Sequence, residues 1–78
     1  MSIRIESFEH LCSLVGRMIS VQQIKRVAGT EQFEVTDEPR VMGTLEMING
    51  DPWIKTRGNG LYQIRESIFA LRAPELVD

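Results

Sequence analysis

The sequence predicts an α+β domain with two N-terminal helices, an antiparallel sheet of about three strands with a central hairpin (41–57), and a C-terminal helix. Three observations predict this class. Apolar residues recur at helical spacing in the first third of the chain and again near its end. Between these segments, an Asn-Gly dipeptide separates two runs of strand-forming residues. Because 78 residues suffice for one small core, residues 1–78 are expected to form a single globular domain.

The first third of the chain is expected to contain a short strand and two helices. Residues 2–6 alternate between apolar and polar side chains, which is typical of a strand. Ser7 is placed to cap the first helix. The apolar stripe of that helix comprises Phe8, Leu11, Cys12 and Val15. Since this stripe loses its phase further on, a turn near residues 16–19 is expected to separate the two helices.

The second helix, predicted over residues 20–28, has end signals that agree with one another. Ser20 and Gln23 have the spacing of a capping box. Ile19 is placed to pack on Ile24 as a hydrophobic staple. Gly29 stands where a C′ glycine ends a helix. Together these cues favour a short, well-delimited helix.

The middle of the chain predicts a strand over 33–35, a turn or irregular link over 37–40, and the hairpin. The hairpin strands are predicted over residues 41–48 and 53–57, on either side of the Asn-Gly dipeptide. A two-residue loop would pair Leu45 with Ile54, whereas a four-residue loop would pair Met47 with Ile54. Either register leaves the same side chains on the same face, because strand side chains alternate.

One face of the hairpin, with Leu45, Met47 and Ile54, is expected to face the core. The other face is mostly polar, yet it carries the only tryptophan of the chain. Either a helix covers this second face and Trp53 is core, or the face is a mixed apolar and basic binding patch. Trp and Arg are favoured at protein interfaces. The residues of this candidate patch are Met42, Ile48, Trp53, Lys55 and Arg57.

The C-terminal segment has two interpretations. Its apolar positions, Leu61, Ile64, Ile68 and Leu71, have helical spacing, with Asn59 as a cap and Pro74 as the end. Alternatively, residues 61–64 form a third hairpin strand. The helix is the favoured interpretation, and residues 75–78 are expected to fray.

The chain carries few residue types that suit catalysis. His10 is the only imidazole and Cys12 the only thiol, and two positions apart on a helix they point in different directions. A metal site needs three or four convergent ligands. Cys12 is expected to be a small buried hydrophobe. The sequence therefore predicts no catalytic residue, no cofactor and no metal site, and the chain is not expected to be an enzyme.

Charge and composition narrow the class of partner. The formal net charge is −2, which is not typical of a general binder of nucleic acid or membrane surfaces. No run of about 20 apolar residues is present, so no membrane partner is expected. A lone cysteine cannot form an internal disulfide, which favours the cytoplasm.

Residues 19–27 nevertheless resemble the recognition helix of helix-turn-helix DNA-binding proteins. In that family, polar side chains of a capped helix face the major groove, where Gln reads adenine edges and Arg or Lys reads guanine or phosphate. The resemblance implies that the hairpin acts as a wing. It also implies five DNA-contacting residues, namely Ser20, Gln22, Gln23, Lys25 and Arg26.

The function expected from these observations is that of a small non-catalytic binding protein that occupies the surface of a macromolecular partner. Phage-type inhibitors and small adaptors act in this way. A protein is the expected partner, and a homodimer formed through an uncovered face or sheet edge is compatible with the same hypothesis. The alternative is a compact DNA-binding transcriptional regulator that uses the helix predicted over 20–28.

Overall fold

The structure, a computed structural model that describes residues 2–77, consists mainly of antiparallel sheet. Its strands are β1 (Ser2–Arg4), β2 (Met18–Val21), β3 (Ile24–Arg26), β4 (Phe33–Val35), β5 (Val41–Ile48), β6 (Asp51–Lys55), β7 (Leu61–Gln63) and β8 (Glu75–Val77). The helical segments are α1 (Phe8–Cys12), a 3-10 turn (Glu66–Ile68) and α2 (Phe69–Arg72). Among the described residues, no helix has the length and apolar character that crossing a membrane requires.

Six strands form one sheet in the order β1-β8-β2-β5-β6-β7, and β3 and β4 form a separate two-stranded ribbon. The C-terminal strand β8 therefore lies between β1 and β2, with Leu76 opposite both Ile3 and Ile19. Every pairing is antiparallel. The meander of β5, β6 and β7 forms the other half of the sheet. Strands distant in the sequence thus meet at its centre.

The predicted fold class is wrong, and residues 20–28 show why. They form the end of β2, a corner at Gln22 and Gln23, and β3, instead of a helix. Ile19 and Val21 are fully buried with one residue between them, so their spacing has the two-residue period of a strand. A nine-residue helix is marginal in water. β2 instead obtains hydrogen-bond partners from β5 and β8.

The C-terminal segment follows the alternative that the sequence left open. Leu61–Gln63 is the strand β7, and helical structure is confined to the 3-10 turn and α2. Asn59, predicted as a helix cap, has a φ of +64° in the turn between β6 and β7. α2 does end ahead of Pro74, but Glu75–Val77 is a paired strand and not a frayed tail.

Several predictions that rest on local sequence signals are confirmed. The strands at Ser2–Arg4, Phe33–Val35 and Val41–Ile48 are present. Ser7 caps α1, and its Oγ accepts a hydrogen bond from the His10 amide at 3.0 Å. The two-residue hairpin loop pairs Leu45 with Ile54. Both loop residues have positive φ, as the favoured tight hairpin turn requires. The return strand is shifted, however, and runs over Asp51–Lys55.

The core lies on one face of the six-stranded sheet. It contains the buried residues Ile5, Leu11, Ile19, Val21, Leu45, Ile54 and Ile64. Phe8 of α1 and Phe69 of α2 pack against this cluster, with their rings edge to face and 6.1 Å between centroids. Both helices thus contribute to the same face. Apolar burial of this kind contributes about 25 cal/mol per Å² and is the main stabilising contribution in so small a chain.

Arg40 joins three parts of the fold that are distant in sequence. Its Nε donates to Ser20 Oγ at 3.2 Å, and its Nη2 donates to the Ser20 carbonyl at 2.9 Å. The same Nη2 donates to the carbonyl of Ala73 at 2.5 Å, and Glu75 lies 3.9 Å away. Because the guanidinium group is planar with fixed donors, one side chain can hold β2 against the junction of α2 and β8.

Candidate functional site

His10 and Cys12, the only imidazole and the only thiol of the chain, do not belong to a group of potential metal ligands within the described residues. His10 is exposed, and Cys12 is half-buried instead of lying in the core as expected. Burial raises the pKa of the Cys12 thiol, and the nearby Glu66 carboxylate raises it further. Within residues 2–77, no three His, Cys, Asp or Glu side chains are grouped so that they could hold a metal ion.

The face of the sheet opposite the core forms a surface that we call the open face. Its members follow from the register, since residues paired across strands share a face and neighbours alternate. Met18, Thr44, Lys55 and Leu61 form one row across four strands. In β2, β5, β6 and β7 the open face comprises Met18, Ser20, Met42, Thr44, Glu46, Ile48, Asp51, Trp53, Lys55, Leu61 and Gln63, and Arg57 continues it beyond β6. None of these side chains belongs to the hydrophobic core cluster.

A depression of about 400 Å³ lies on the open face. It is lined by Met18, Met42, Gly43, Thr44, Lys55 and Arg57. Met18 is 45% exposed and Met42 is 57% exposed, so two large apolar side chains of the depression are accessible to a partner. Lys55 and Arg57 are exposed as well. Within the part of the chain that the structure describes, neither of these cations takes part in an ion pair.

The structure brings together three of the five residues predicted for this patch. Met42, Lys55 and Arg57 line the depression. Ile48 and Trp53 lie on the same face but nearer the hairpin turn, and do not line it. Trp53 is half-buried between the cross-strand neighbours Glu46 and Gln63. It is therefore neither a core residue nor a fully exposed one.

Three lining residues, Met18, Gly43 and Thr44, were absent from the predicted patch. Thr44 could have been included, because it shares the face of Met42 by simple alternation. The helical interpretation did not place Met18 on this face, because it assigned the residue to a turn between two helices. The alternation of Met18 and Ser20 with the apolar Ile19 and Val21 is the signal that identifies it.

The residues predicted to contact DNA do not lie on a helix, and several of them support the fold. Ser20 is buried and bound to Arg40. The side-chain amide of Gln22 donates to the Thr36 carbonyl, and that of Gln23 donates to the Pro39 carbonyl. These side chains hold the corner between β2 and β3 against the link that leads into β5.

Lys25 and Arg26 point to opposite sides of the two-stranded ribbon, because they are successive residues of β3. Lys25 Nζ lies 3.3 Å from the Glu34 carboxylate. The Arg26 guanidinium lies over the Phe33 ring, 5.7 Å from its centroid. The five predicted DNA-contacting residues thus share no common surface.

No family model, curated protein or solved structure gives a significant match to the chain.

Proposed function

We propose that this chain is a non-catalytic binding protein whose open face occupies the surface of a protein partner. The partner segment is one in which carboxylates stand beside apolar side chains. The single observation that carries this proposal is the depression where the exposed Met18 and Met42 adjoin the exposed cations Lys55 and Arg57. In this role the protein would act by covering a partner's surface, as an inhibitor or adaptor does.

The methionines supply the apolar part of the interaction. Methionine is unbranched and polarizable, so it adapts to irregular partner surfaces and is frequent at binding surfaces. Both methionines stand on β-strands, whose backbone is held by ladder hydrogen bonds. The contact surface is therefore adaptable in its side chains but fixed in its backbone, which limits the ordering cost of binding.

The cations supply specificity. Lys55 and Arg57 are the charged residues that line the depression, and both are positive although the chain carries a net charge of −2. An acidic segment of a partner would approach this local potential faster and with a defined orientation. DNA is less well suited, because affinity for DNA usually depends on many phosphate contacts, and the predicted recognition helix is absent.

We place this activity in a reducing compartment such as the cytoplasm. Cys12 is the only cysteine of the chain, so no internal disulfide is available to stabilise it.

The proposal is tested by selecting peptides from a random displayed library with the immobilised protein. We expect enrichment of peptides with Asp or Glu next to apolar residues. Met42→Gln and Lys55→Glu should each abolish the enrichment, because they remove the apolar and the cationic contact respectively. Met47→Gln is the matched control, since Met47 is 39% exposed but lies on the other face of β5.

Three results would contradict the proposal. The first is enrichment of basic peptides or none at all, and the second is equal loss of binding in the Met47→Gln control. The third comes from light scattering of the protein alone. If the chain is a dimer that Met42→Gln converts into monomers, the open face is a homodimer interface and not a site for a different protein.

A further inference from the structure

A second pocket, separate from the depression on the open face, is lined by three arginines. It has a volume of about 180 Å³ and lies among the β3–β4 ribbon, the end of β7 and the segment of the 3-10 turn and α2. Its lining residues are Ile24, Arg26, Phe33, Gln63, Arg65, Ile68 and Arg72. None of them lines the depression on the open face. The pocket is therefore a site distinct from the one proposed above for the protein partner.

Among the described residues 2–77, no acidic side chain lines this pocket. Among residues 2–77, no carboxylate lies within 4.0 Å of the guanidinium nitrogens of Arg26, Arg65 or Arg72. Three like charges around one small volume repel one another. In a chain with a net charge of −2, such a cluster is a local departure from the overall charge.

Arg72 is the innermost of the three and is only 8% exposed. Its Nη1 donates to the Gln22 carbonyl at 3.1 Å, and its guanidinium lies 5.8 Å from the centre of the Tyr62 ring. Its Nε is buried and has no hydrogen-bond partner, and no other described side-chain nitrogen or oxygen is in this state. A buried N–H donor on a charged group is unfavourable when no acceptor bonds to it.

We propose that this pocket binds a dianionic phosphate group, such as inorganic phosphate or a phosphate monoester. Guanidinium groups match the geometry of phosphate oxygens and bind them through paired N–H donors. Arg72 lines the pocket with the other two arginines, so its guanidinium group would contribute to binding the phosphate. Arg26 and Arg65 are exposed at the same pocket and would neutralise the remaining charge.

The two outer arginines are already oriented. Arg26 is held over the Phe33 ring, and Arg65 Nε donates to Gln63 Oε1 at 3.2 Å. Arranging these side chains before the ligand arrives reduces the entropic cost of binding. The volume of about 180 Å³ is large enough for one phosphate group.

The test measures the Tm of the full chain with inorganic phosphate, methyl phosphate or dimethyl phosphate at 10 mM. Sodium chloride holds the ionic strength constant. If Kd for the dianions is about 1 mM, inorganic phosphate and methyl phosphate should raise Tm by about 5–10 °C. The monoanionic dimethyl phosphate should have a much smaller effect. Amide chemical shifts under phosphate should change mainly at the residues that line the pocket.

Variants separate binding from general stability. Arg65→Gln should weaken phosphate binding about tenfold, and the double variant Arg26→Gln/Arg65→Gln should abolish the phosphate response. Without phosphate, the double variant should be no less stable than the wild type, because it removes like-charge repulsion. Arg4→Gln removes one exposed charge from β1, outside the pocket, and should keep the full response.

The proposal is overturned if phosphate raises Tm no more than sodium chloride does. It is also overturned if the double variant keeps the phosphate response, or if the chemical-shift changes lie at Lys55 and Arg57 instead of the pocket. None of these results bears on peptide selection by the open face, so the two proposals can fail independently.

Discussion

Gly43 has no side chain, and the Ile54 side chain occupies the space that a Cβ atom at position 43 would need. A Cβ atom at position 43 would lie 2.6 Å from Ile54 Cγ2 and 2.5 Å from the Lys55 carbonyl oxygen. Gly43 stands within β5, opposite Ile19. Leu45, two residues further along the same strand, pairs directly with Ile54. The close approach of β5 and β6 at the centre of the sheet thus depends on the absence of a side chain at this position.

We therefore expect Gly43→Ala to destabilise the protein by about 1–3 kcal/mol, the usual range for overpacking a core. The upper part of this range is expected because a backbone carbonyl cannot move aside as a side chain can. Urea denaturation followed by Trp53 fluorescence measures the change. Gly58→Ala is the control, since nothing lies within 4 Å of its added Cβ and its change should stay within about 0.5 kcal/mol. Equal effects of both substitutions would contradict the explanation.

Ala73 ends α2 with φ +41° and ψ +58°, a left-handed conformation that costs an L-residue energy. Gly is the preferred residue at such a position. We expect Ala73→Gly to stabilise the protein by about 0.5–1 kcal/mol in the same urea experiment. Ala70→Gly, within α2, should destabilise it by about 1 kcal/mol. The explanation fails if both substitutions change stability in the same direction.

Arg40 should be one of the least replaceable polar residues of the chain. Arg40→Ala leaves the Ser20 hydroxyl and the carbonyls of Ser20 and Ala73 without their donor, and we expect a loss of about 2–3 kcal/mol. Arg40→Lys should recover less than half of this, because an ammonium group cannot reach all three acceptors in the same geometry. Thermal unfolding measures both. Arg4→Ala, an exposed control, should change stability by less than about 0.5 kcal/mol, and full recovery by lysine would contradict this role.

The Cys12 thiol should react slowly with iodoacetamide. Burial and the Glu66 carboxylate both raise its pKa, so at pH 8 less of it is thiolate than in a free cysteine. Its rate-against-pH profile should be displaced to higher pH than that of glutathione. Glu66→Gln should speed the reaction by about twofold, since it removes the smaller of the two causes. Added salt should reduce this difference by screening, and a faster reaction than that of glutathione would contradict the assignment.

The hairpin could be predicted from the sequence because its signals are local. The Asn49-Gly50 turn favours positive φ at both positions, and the strand formers on either side adjoin it directly. Its register and the faces of Met42, Trp53 and Lys55 follow from alternation alone. For that reason, sequence reasoning reached part of the depression on the open face, although it did not include Met18.

The arginine pocket could not be predicted from the sequence, since its members come from β3, the loop after β7, and α2. The three arginines are at positions 26, 65 and 72, and no spacing rule connects them. The same holds for Arg40, which the sequence places in a link between strands. Its acceptors lie 20 and 33 residues away.

Local signals in the sequence suffice for three elements: the Ser7 cap, the strand Val41–Ile48 and the tight turn that follows it. Long-range pairing, in contrast, decides that residues 18–21 and 24–26 are strands. Short apolar runs there satisfy helical and extended periods almost equally. The choice was made by β5 and β8, which supply β2 with backbone partners on both sides. Those partners are distant in sequence, and buried peptide groups must be paired wherever the partner comes from.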